Sequence, residues 1–105
     1  MDGKTTVKYL QNYIKSKDFK PDMVKDYFLK LSEEVGELAK AVRKDICRCN
    51  SQEIKGTVDE EIWDVIYYAL AIANCYNIDI ESVIKEKEKI NQLKYHSEIE
   101  FEENR

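Results

Sequence analysis

SEEVGEL at residues 32–38 and EEIWDV at residues 60–65 decide the fold of this chain. Each segment has apolar residues at helical spacing and two acidic side chains three positions apart. The acidic pairs are Glu34 with Glu37, and Glu61 with Asp64. Residues three apart on an α-helix lie within about 60° of each other. Each pair therefore projects from one face of a predicted helix.

The apolar residues around the two pairs predict an antiparallel helical hairpin. The first helix has the stripe Phe28, Leu31, Val35, Leu38, Val42 and Ile46, and the second has Val58, Ile62, Val65, Ala69, Ile72 and Ala73. Within these stripes the acidic pairs occupy the same offsets. A hairpin with its midpoint at Cys49, where the periodicity stops, places the pairs level with each other. All four carboxylates are then expected to converge.

Converging carboxylates predict a site for a hard divalent cation. Two unit charges about 4 Å apart repel by roughly 4 kcal/mol at an effective dielectric near 20, so a positive charge must compensate. Oxygen ligands suit Mg²⁺, Mn²⁺ or Ca²⁺, and Mg²⁺ commonly takes substrate phosphates as further ligands. The alternative is that these residues lie on solvated helix faces, as most acidic residues do. Two pairs in matching register favour the metal site.

Composition indicates one all-α domain. The chain has 105 residues, 43% of them hydrophobic, with three glycines and one proline, which suits helices around a single core. Its net charge of −4 argues against a nucleic-acid polymer or an acidic membrane as partner. The N-terminal residues lack an apolar signal core, and the longest apolar stretch, around Val65 to Ala73, is too short to span a bilayer. We therefore expect a soluble, cytoplasmic protein.

Cap and turn residues predict four helices within a domain at residues 1–96, followed by a charged tail at 97–105. The predicted helices run from Thr5 to about Lys17, from Pro21 to about Ile46, from 52 to 76, and from Ile80 to about Tyr95. Gly56 is expected to delay the stable part of the third helix until about Thr57. The predicted caps of the third and fourth helices are Ser51 and Asp79.

Several side chains have further predicted environments. The first helix is expected to bury Val7, Leu10 and Ile14, and the fourth Ile80, Val83, Ile84, Ile90 and Leu93. Cys47, Cys49 and Cys75 are expected to be free thiols, because a Cys-x-Cys pair without a nearby histidine is poor zinc spacing. His96, the one histidine, receives no role.

The two acidic motifs resemble the E-E-x-x-E and E-x-x-D motifs of the MazG-like nucleotide pyrophosphohydrolases, an all-α NTP pyrophosphatase superfamily. The resemblance covers roughly residues 25 to 95. A third family element, K-x-x-x-N-x-x-R/K-Y, is similar to Lys87, Asn91, Lys94 and Tyr95. The resemblance implies a four-helix bundle that assembles as a homodimer or homotetramer. It also implies an active site that a neighbouring chain helps to complete.

The resemblance also implies the reaction. A nucleoside triphosphate or its deoxy form would be hydrolysed to the monophosphate and pyrophosphate, by metal-activated attack of water at the α-phosphorus. Mg²⁺, with Mn²⁺ as a substitute, would be bound by Glu34, Glu37, Glu61 and Asp64. Glu33 is either a residue that orients water or accepts its proton, or a solvated surface residue. The substrate would be contacted by Lys87, Asn91, Lys94 and Tyr95.

The chain departs from the family pattern at two positions. Trp63 stands where small residues are common; at about 200° from Glu61 on the helix, it is expected to face away from the metal, toward the core or another subunit. Lys94 replaces the more usual arginine and loses its bidentate geometry. The competing functions are phosphoribosyl-ATP pyrophosphohydrolase and a noncatalytic helical oligomerisation or regulatory module.

Overall fold

The computed structural model describes residues 4–50, 53–95 and 99–102, and its architecture is four α-helices. They are α1 (Val7–Lys17), α2 (Val24–Lys44), α3 (Val58–Cys75) and α4 (Ile80–Tyr95). Single 3₁₀ turns at Pro21–Met23 and Arg48–Asn50 precede α2 and α3, respectively. The described residues contain no β-strand, which confirms the all-α prediction.

Helices α2 and α3 form the predicted antiparallel hairpin. At one end, the Val58 N–H at the start of α3 donates to the Ile46 carbonyl just beyond α2, at 2.8 Å. At the other end, Cys75 Sγ in the last turn of α3 lies 3.8 Å from the Lys20 carbonyl, just ahead of α2. Opposite ends of the two helices therefore meet, as an antiparallel pair requires.

Local backbone chemistry sets the ends of the hairpin. After α2, Asp45 adopts a left-handed conformation (φ 55°). Its N–H donates to the Val42 carbonyl at 3.0 Å, and the Ile46 N–H donates to the Ala41 carbonyl at 3.1 Å. These are the two hydrogen bonds of a Schellman motif. Helix α2 consequently ends at Lys44, two residues earlier than predicted.

The third helix begins at Val58, and the predicted start at residue 52 is wrong. Gly56, with φ 77°, takes a backbone conformation that favours glycine and stops helical continuation on the N-terminal side. Thr57 caps the helix instead, which confirms the expectation that its stable part starts there. The predicted cap Ser51 lies outside the described residues.

Helix α1 is joined to the α3–α4 junction by buried Gln11. Its side-chain amide donates to the Asn74 side chain at 3.1 Å and to the Ile78 carbonyl at 2.8 Å, and accepts from the Ile80 N–H at 3.0 Å. Asn74 in turn donates to the Gln11 carbonyl at 2.9 Å. Because a buried amide is costly unless its hydrogen bonds are made, this network fixes α1 in place.

The caps of α1 and α4 follow the same chemistry. The cap of α1 is Thr6 rather than Thr5, since the Thr6 hydroxyl accepts from the Tyr9 N–H at 3.0 Å. The predicted cap Asp79 is confirmed: its carboxylate accepts from the Glu81 N–H at 3.2 Å and from the Ser82 hydroxyl at 2.9 Å.

The core lies where α1 crosses α2 and α3. Its buried residues are Ile14, Tyr27, Leu70 and Ala71, with Val7, Leu10 and Ile80 packed around them. The predicted burial of Ile14 is confirmed. Several residues of the predicted stripes are instead exposed in this chain: Phe28, Val35, Val42, Ile62, Val83, Ile90 and Leu93. Helical periodicity located apolar faces correctly, but the single chain does not cover all of them.

No residue of helix α4 is buried in the single chain. The radius of gyration is 16.2 Å, compared with about 13 Å for a compact domain of this length. Across the described residues, no helix is both apolar enough and long enough to cross a membrane.

The cysteines differ from expectation. Cys47 and Cys49 form a disulfide in the loop between α2 and α3, so the prediction of three free thiols is wrong for this pair. Their spacing of two residues was sufficient for a bridge, with Cα atoms 5.3 Å apart. Cys75 is a free thiol, and His96 lies outside the described residues.

Candidate functional site

Three of the four predicted ligands meet across the hairpin. One carboxylate oxygen from each of Glu34, Glu61 and Asp64 lies within 4.8 Å of the others. Glu34 belongs to α2, and the other two belong to the first two turns of α3. The antiparallel packing of the helices therefore creates the group from residues far apart in sequence.

The loop before α3 holds the first turn of that helix in position. Thr57 is fully buried; its hydroxyl donates to the Ile54 carbonyl at 2.6 Å and accepts from the Glu60 N–H at 3.2 Å. The Glu60 carboxylate accepts from the Gly56 N–H at 2.7 Å. Asp59 accepts from the Arg48 N–H at 2.7 Å. Asp59 and Glu60 thus hold the loop, whereas the side chain of Glu61 is buried in the hairpin.

Glu61 provides the clearest indication that a cation fits this group. The residue is only 6% exposed, and its Oε1 atom is buried without a hydrogen-bond partner among the described residues. A buried carboxylate oxygen without a partner is costly, and a bound cation would satisfy it. With Glu34 and Asp64, it offers an all-oxygen donor set of the kind that hard divalent cations prefer.

The electrostatics of the group reflect crowding of like charges. Burial, a hydrogen bond shared with Glu61 and the charge of Asp64 raise the pKa of Glu34 to about 7. The pKa of Glu61 is also raised, chiefly by burial and further by Asp64, Glu60 and Glu37, while its hydrogen bond with Glu34 acts in the opposite direction. Without a cation, three full negative charges are therefore disfavoured near neutral pH.

The other two acids of the first motif lie differently. Glu37 is exposed and outside the group of three, although its charge acts on Glu61. Glu33 is exposed and forms an ion pair with Lys30 at 3.5 Å. Of the two roles that the sequence left open for Glu33, this pair favours the surface one.

An open cleft of about 460 Å³ adjoins the acidic group. Glu34 and Asp64 line it together with Tyr13, Lys17, Trp63, Tyr67 and Tyr68. The expectation that Trp63 faces away from the metal ligands is therefore wrong. The angle between Trp63 and Glu61 did not predict the direction of the Trp63 side chain. Trp63 is only about 100° from Asp64 on α3, and Glu34 approaches from the facing helix. Sequence reasoning also missed Lys17, whose only signal was its position four residues after Tyr13 on α1.

The predicted substrate-binding residues on α4 are not brought to this cleft. Asn91 and Tyr95 line a second cleft, of about 330 Å³, together with Ile99 and Phe101. Lys87 is exposed, and the Lys94 ammonium lies 5.3 Å from the centre of the Tyr95 ring. Within one chain, the third motif and the acidic motifs therefore occupy separate surfaces.

Comparison with known proteins places this geometry in a family. Residues 23–97 match the model of the MazG nucleotide pyrophosphohydrolase domain, a stretch that includes the acidic hairpin and all of α4. No curated protein sequence matches the chain.

Solved structures agree with the family match. A crystal structure of iMazG from Vibrio DAT 722 with an N-terminal tag is 39% identical, with a TM-score of 0.79, and the match covers 89% of this chain and 100% of that one. A C-terminally tagged form of iMazG from the same source is 39% identical, with a TM-score of 0.78, covering 84% of this chain and 99% of that one.

The fold and the acidic hairpin define a helical hydrolase that acts on phosphorus anhydrides. The chain belongs to the MazG family of nucleotide pyrophosphohydrolases. The resemblance noted from the two acidic motifs is confirmed, as is the assignment of the chain as an enzyme.

Proposed function

We propose that this protein hydrolyses a nucleoside triphosphate, or its deoxy form, to the monophosphate and pyrophosphate, with Mg²⁺ as cofactor and Mn²⁺ as a substitute. The observation that carries the proposal is the group formed by Glu34, Glu61 and Asp64, with its buried, unpartnered Glu61 oxygen. Magnesium prefers such carboxylates and completes its coordination with phosphate oxygens and water.

The residues of the chain have distinct tasks in this proposal. Glu34, Glu61 and Asp64 hold the metal. Glu37, which is exposed and follows Glu34 by three residues on α2, joins them as a further ligand. When bound, Mg²⁺ supplies the positive charge that neutralises the phosphates and activates water for attack at the α-phosphorus. The cleft beside Asp64 positions the nucleotide so that its phosphate chain reaches the acidic group.

We also propose that the protein acts as a homodimer or homotetramer. On α2, Phe28, Val35 and Val42 repeat every seven residues and are exposed in the single chain. An apolar stripe of this kind on a helix commonly packs against another subunit. Assembly would also allow a neighbouring chain to bring Lys87, Asn91, Lys94 and Tyr95 to the nucleotide, which accounts for their distance from the acidic cleft in one chain.

The experiment that tests this function is a product assay over a panel of canonical and modified nucleoside triphosphates, with phosphoribosyl-ATP included. Each substrate is incubated with Mg²⁺, with Mn²⁺ or with EDTA, and the products are separated and quantified. We expect one pyrophosphate per monophosphate, and no turnover in EDTA. Release of inorganic phosphate as the first product would overturn the proposal. Turnover of phosphoribosyl-ATP and of no other substrate would support the proposed pyrophosphohydrolase reaction but replace the nucleoside triphosphate as its substrate.

A further inference from the structure

The cleft beside the acidic group has one surface made of aromatic rings. The rings of Trp63 and Tyr67 meet edge to face, with centroids 5.9 Å apart, and Tyr67 meets Tyr68 in the same way at 5.2 Å. This packing fixes the rings against α3, yet Trp63 remains 36% exposed and Tyr13, on α1, 45% exposed. Large aromatic surfaces thus remain accessible in a cleft of about 460 Å³, within the usual size range of small-molecule sites.

The ammonium group of Lys17 lies among these rings. The Lys17 ammonium is 5.2 Å from the centre of the Tyr13 ring and 5.1 Å from that of the Tyr67 ring. No carboxylate forms an ion pair with Lys17 within the part of the chain that the structure describes. Cation–π contacts hold the lysine in the cleft while its three N–H donors remain able to bind an anion.

We propose that Trp63 and Tyr13 bind the base of the nucleotide by stacking, and that Lys17 contacts its phosphate chain. The inference rests on the proposed function, because it takes the substrate to be a nucleoside triphosphate. It assigns the residues that line the cleft: the rings hold the base, and Glu34 and Asp64 hold the metal to which the phosphates bind.

The chemistry of the lining defines how the base is recognised. Apart from the tyrosine hydroxyls and the indole N–H of Trp63, the polar lining side chains are Lys17, Glu34 and Asp64, which the proposal assigns to the phosphates and the metal. Every base has a π-face, so stacking on an aromatic side chain accepts purines and pyrimidines alike. Trp63 therefore contributes to the affinity for all nucleotides rather than selecting one of them.

The single tryptophan of the chain makes a direct binding measurement possible. The wild-type protein is titrated with the non-hydrolysable α,β-methylene analogues of dATP and dTTP, and in parallel with inorganic tripolyphosphate, while tryptophan fluorescence is recorded. Stacking predicts a saturable change with both analogues and none with tripolyphosphate, which has no base. The same response to all three ligands, or to none, would overturn the inference.

Two variants separate the base from the phosphates. Trp63→Ala should raise the KM of every nucleotide about tenfold and leave competitive inhibition by tripolyphosphate within about twofold of wild type. Lys17→Met should weaken the nucleotide and tripolyphosphate alike, each about tenfold, because a contact to a charged group is lost. Lys15→Met is the matched control: it removes the same charge two residues earlier on α1, where the ammonium lies over Phe19, and should change neither constant.

The outcomes also separate this inference from the proposed function. Unchanged KM in Trp63→Ala, with an altered subunit number, would make Trp63 a subunit contact and overturn the stacking assignment while turnover persists. Binding of the analogues without any hydrolysis of triphosphates would overturn the proposed function and keep the base site. Should Trp63→Ala fail to fold, Trp63→Phe, which retains an aromatic face, must keep most of the nucleotide affinity if the inference is correct.

Discussion

Glu34 on α2 and Glu61 on α3 bring carboxylate oxygens within 4.8 Å of each other, in a group that also contains Asp64. The chain between them spans the whole turn of the hairpin, so only the folded protein creates this proximity. Its consequence is a carboxylate, Glu34, whose pKa is raised to about 7, mainly by burial and then by its acidic neighbours. The site therefore stores unfavourable electrostatic energy that a bound cation would relieve.

The metal-free protein should lose stability as pH rises from about 5 to about 8. The pKa of Glu34 rises from its ordinary value of 4.5 to about 7 on folding, so the folded state binds more protons in that interval. Its contribution to stability is fully present below about pH 4.5 and is lost as pH rises through about 7. Thermal unfolding in EDTA measures the trend. Glu34→Gln should flatten it, and an equally steep slope in that variant would contradict the assignment.

Glu61→Gln should stabilise the metal-free protein by about 1 kcal/mol near pH 8, because an amide removes the buried charge and can donate to a neighbouring carboxylate. With Mg²⁺ present, wild type should instead be more stable than Glu61→Gln. Wild type gains about 2.7 kcal/mol when the metal is present at a hundred times its dissociation constant, whereas the variant gains little. Thermal unfolding with and without Mg²⁺ checks both effects. Equal Mg²⁺ stabilisation of the two proteins would remove Glu61 from the metal site.

The position of the hairpin and its acidic group could be predicted from the sequence because two local signals agree. Helical periodicity identified both helices, and equal offsets of the acidic pairs predicted that all four carboxylates would converge. Glu34, Glu61 and Asp64 do so, whereas Glu37 lies outside their group. Periodicity cannot tell a face buried within one chain from a face available to another subunit. That is why Val35 and Val42 belong to the predicted apolar stripe and are nevertheless exposed in the single chain.

The cleft could not be predicted because its lining comes from three helices. Tyr13 and Lys17 reach it from α1, whose placement depends on the Gln11 network rather than on any local pattern. Trp63 was judged by its angle to Glu61 alone, whereas the opening of the cleft depends on Glu34 of the facing helix. Likewise, the Cys47–Cys49 bridge follows from the course of the loop, not from cysteine count.

Thr57→Ala should cost about 2 kcal/mol of unfolding free energy. The fully buried Thr57 hydroxyl both caps α3 and donates to the Ile54 carbonyl. The variant loses the cap and this second buried hydrogen bond, and the Ile54 carbonyl keeps only the Thr57 N–H, at 3.1 Å. Thr6→Ala is the matched control, because Thr6 caps α1 at an exposed position; its cost should be about 1 kcal/mol or less. Urea unfolding measures both. Equal losses would show that the burial of Thr57 adds nothing to its cap.

A charge on the exposed stripe of α2 should disrupt self-association. Val35→Glu places a carboxylate in the middle of the apolar repeat, where desolvating it on assembly would be costly. Lys40→Glu is the control, since it places a carboxylate on the same helix away from the stripe and changes the net charge even more than Val35→Glu does. Light scattering after gel filtration should show a smaller assembly for Val35→Glu and the wild-type mass for Lys40→Glu. An unchanged mass in Val35→Glu would place the subunit interface elsewhere.

The central claim is that the carboxylates meeting between α2 and α3 form the catalytic metal site. The most direct test is Mg²⁺-dependent pyrophosphate release by Glu61→Gln compared with Glu60→Gln, two neutralising substitutions at adjacent positions. The Glu60 carboxylate holds the Gly56 N–H, and glutamine retains an acceptor for that bond, whereas Glu61 faces the acidic group. The account predicts at least about a hundredfold lower kcat in Glu61→Gln, as for loss of a principal electrostatic group in catalysis, and near wild-type turnover in Glu60→Gln. Full activity in Glu61→Gln would contradict it.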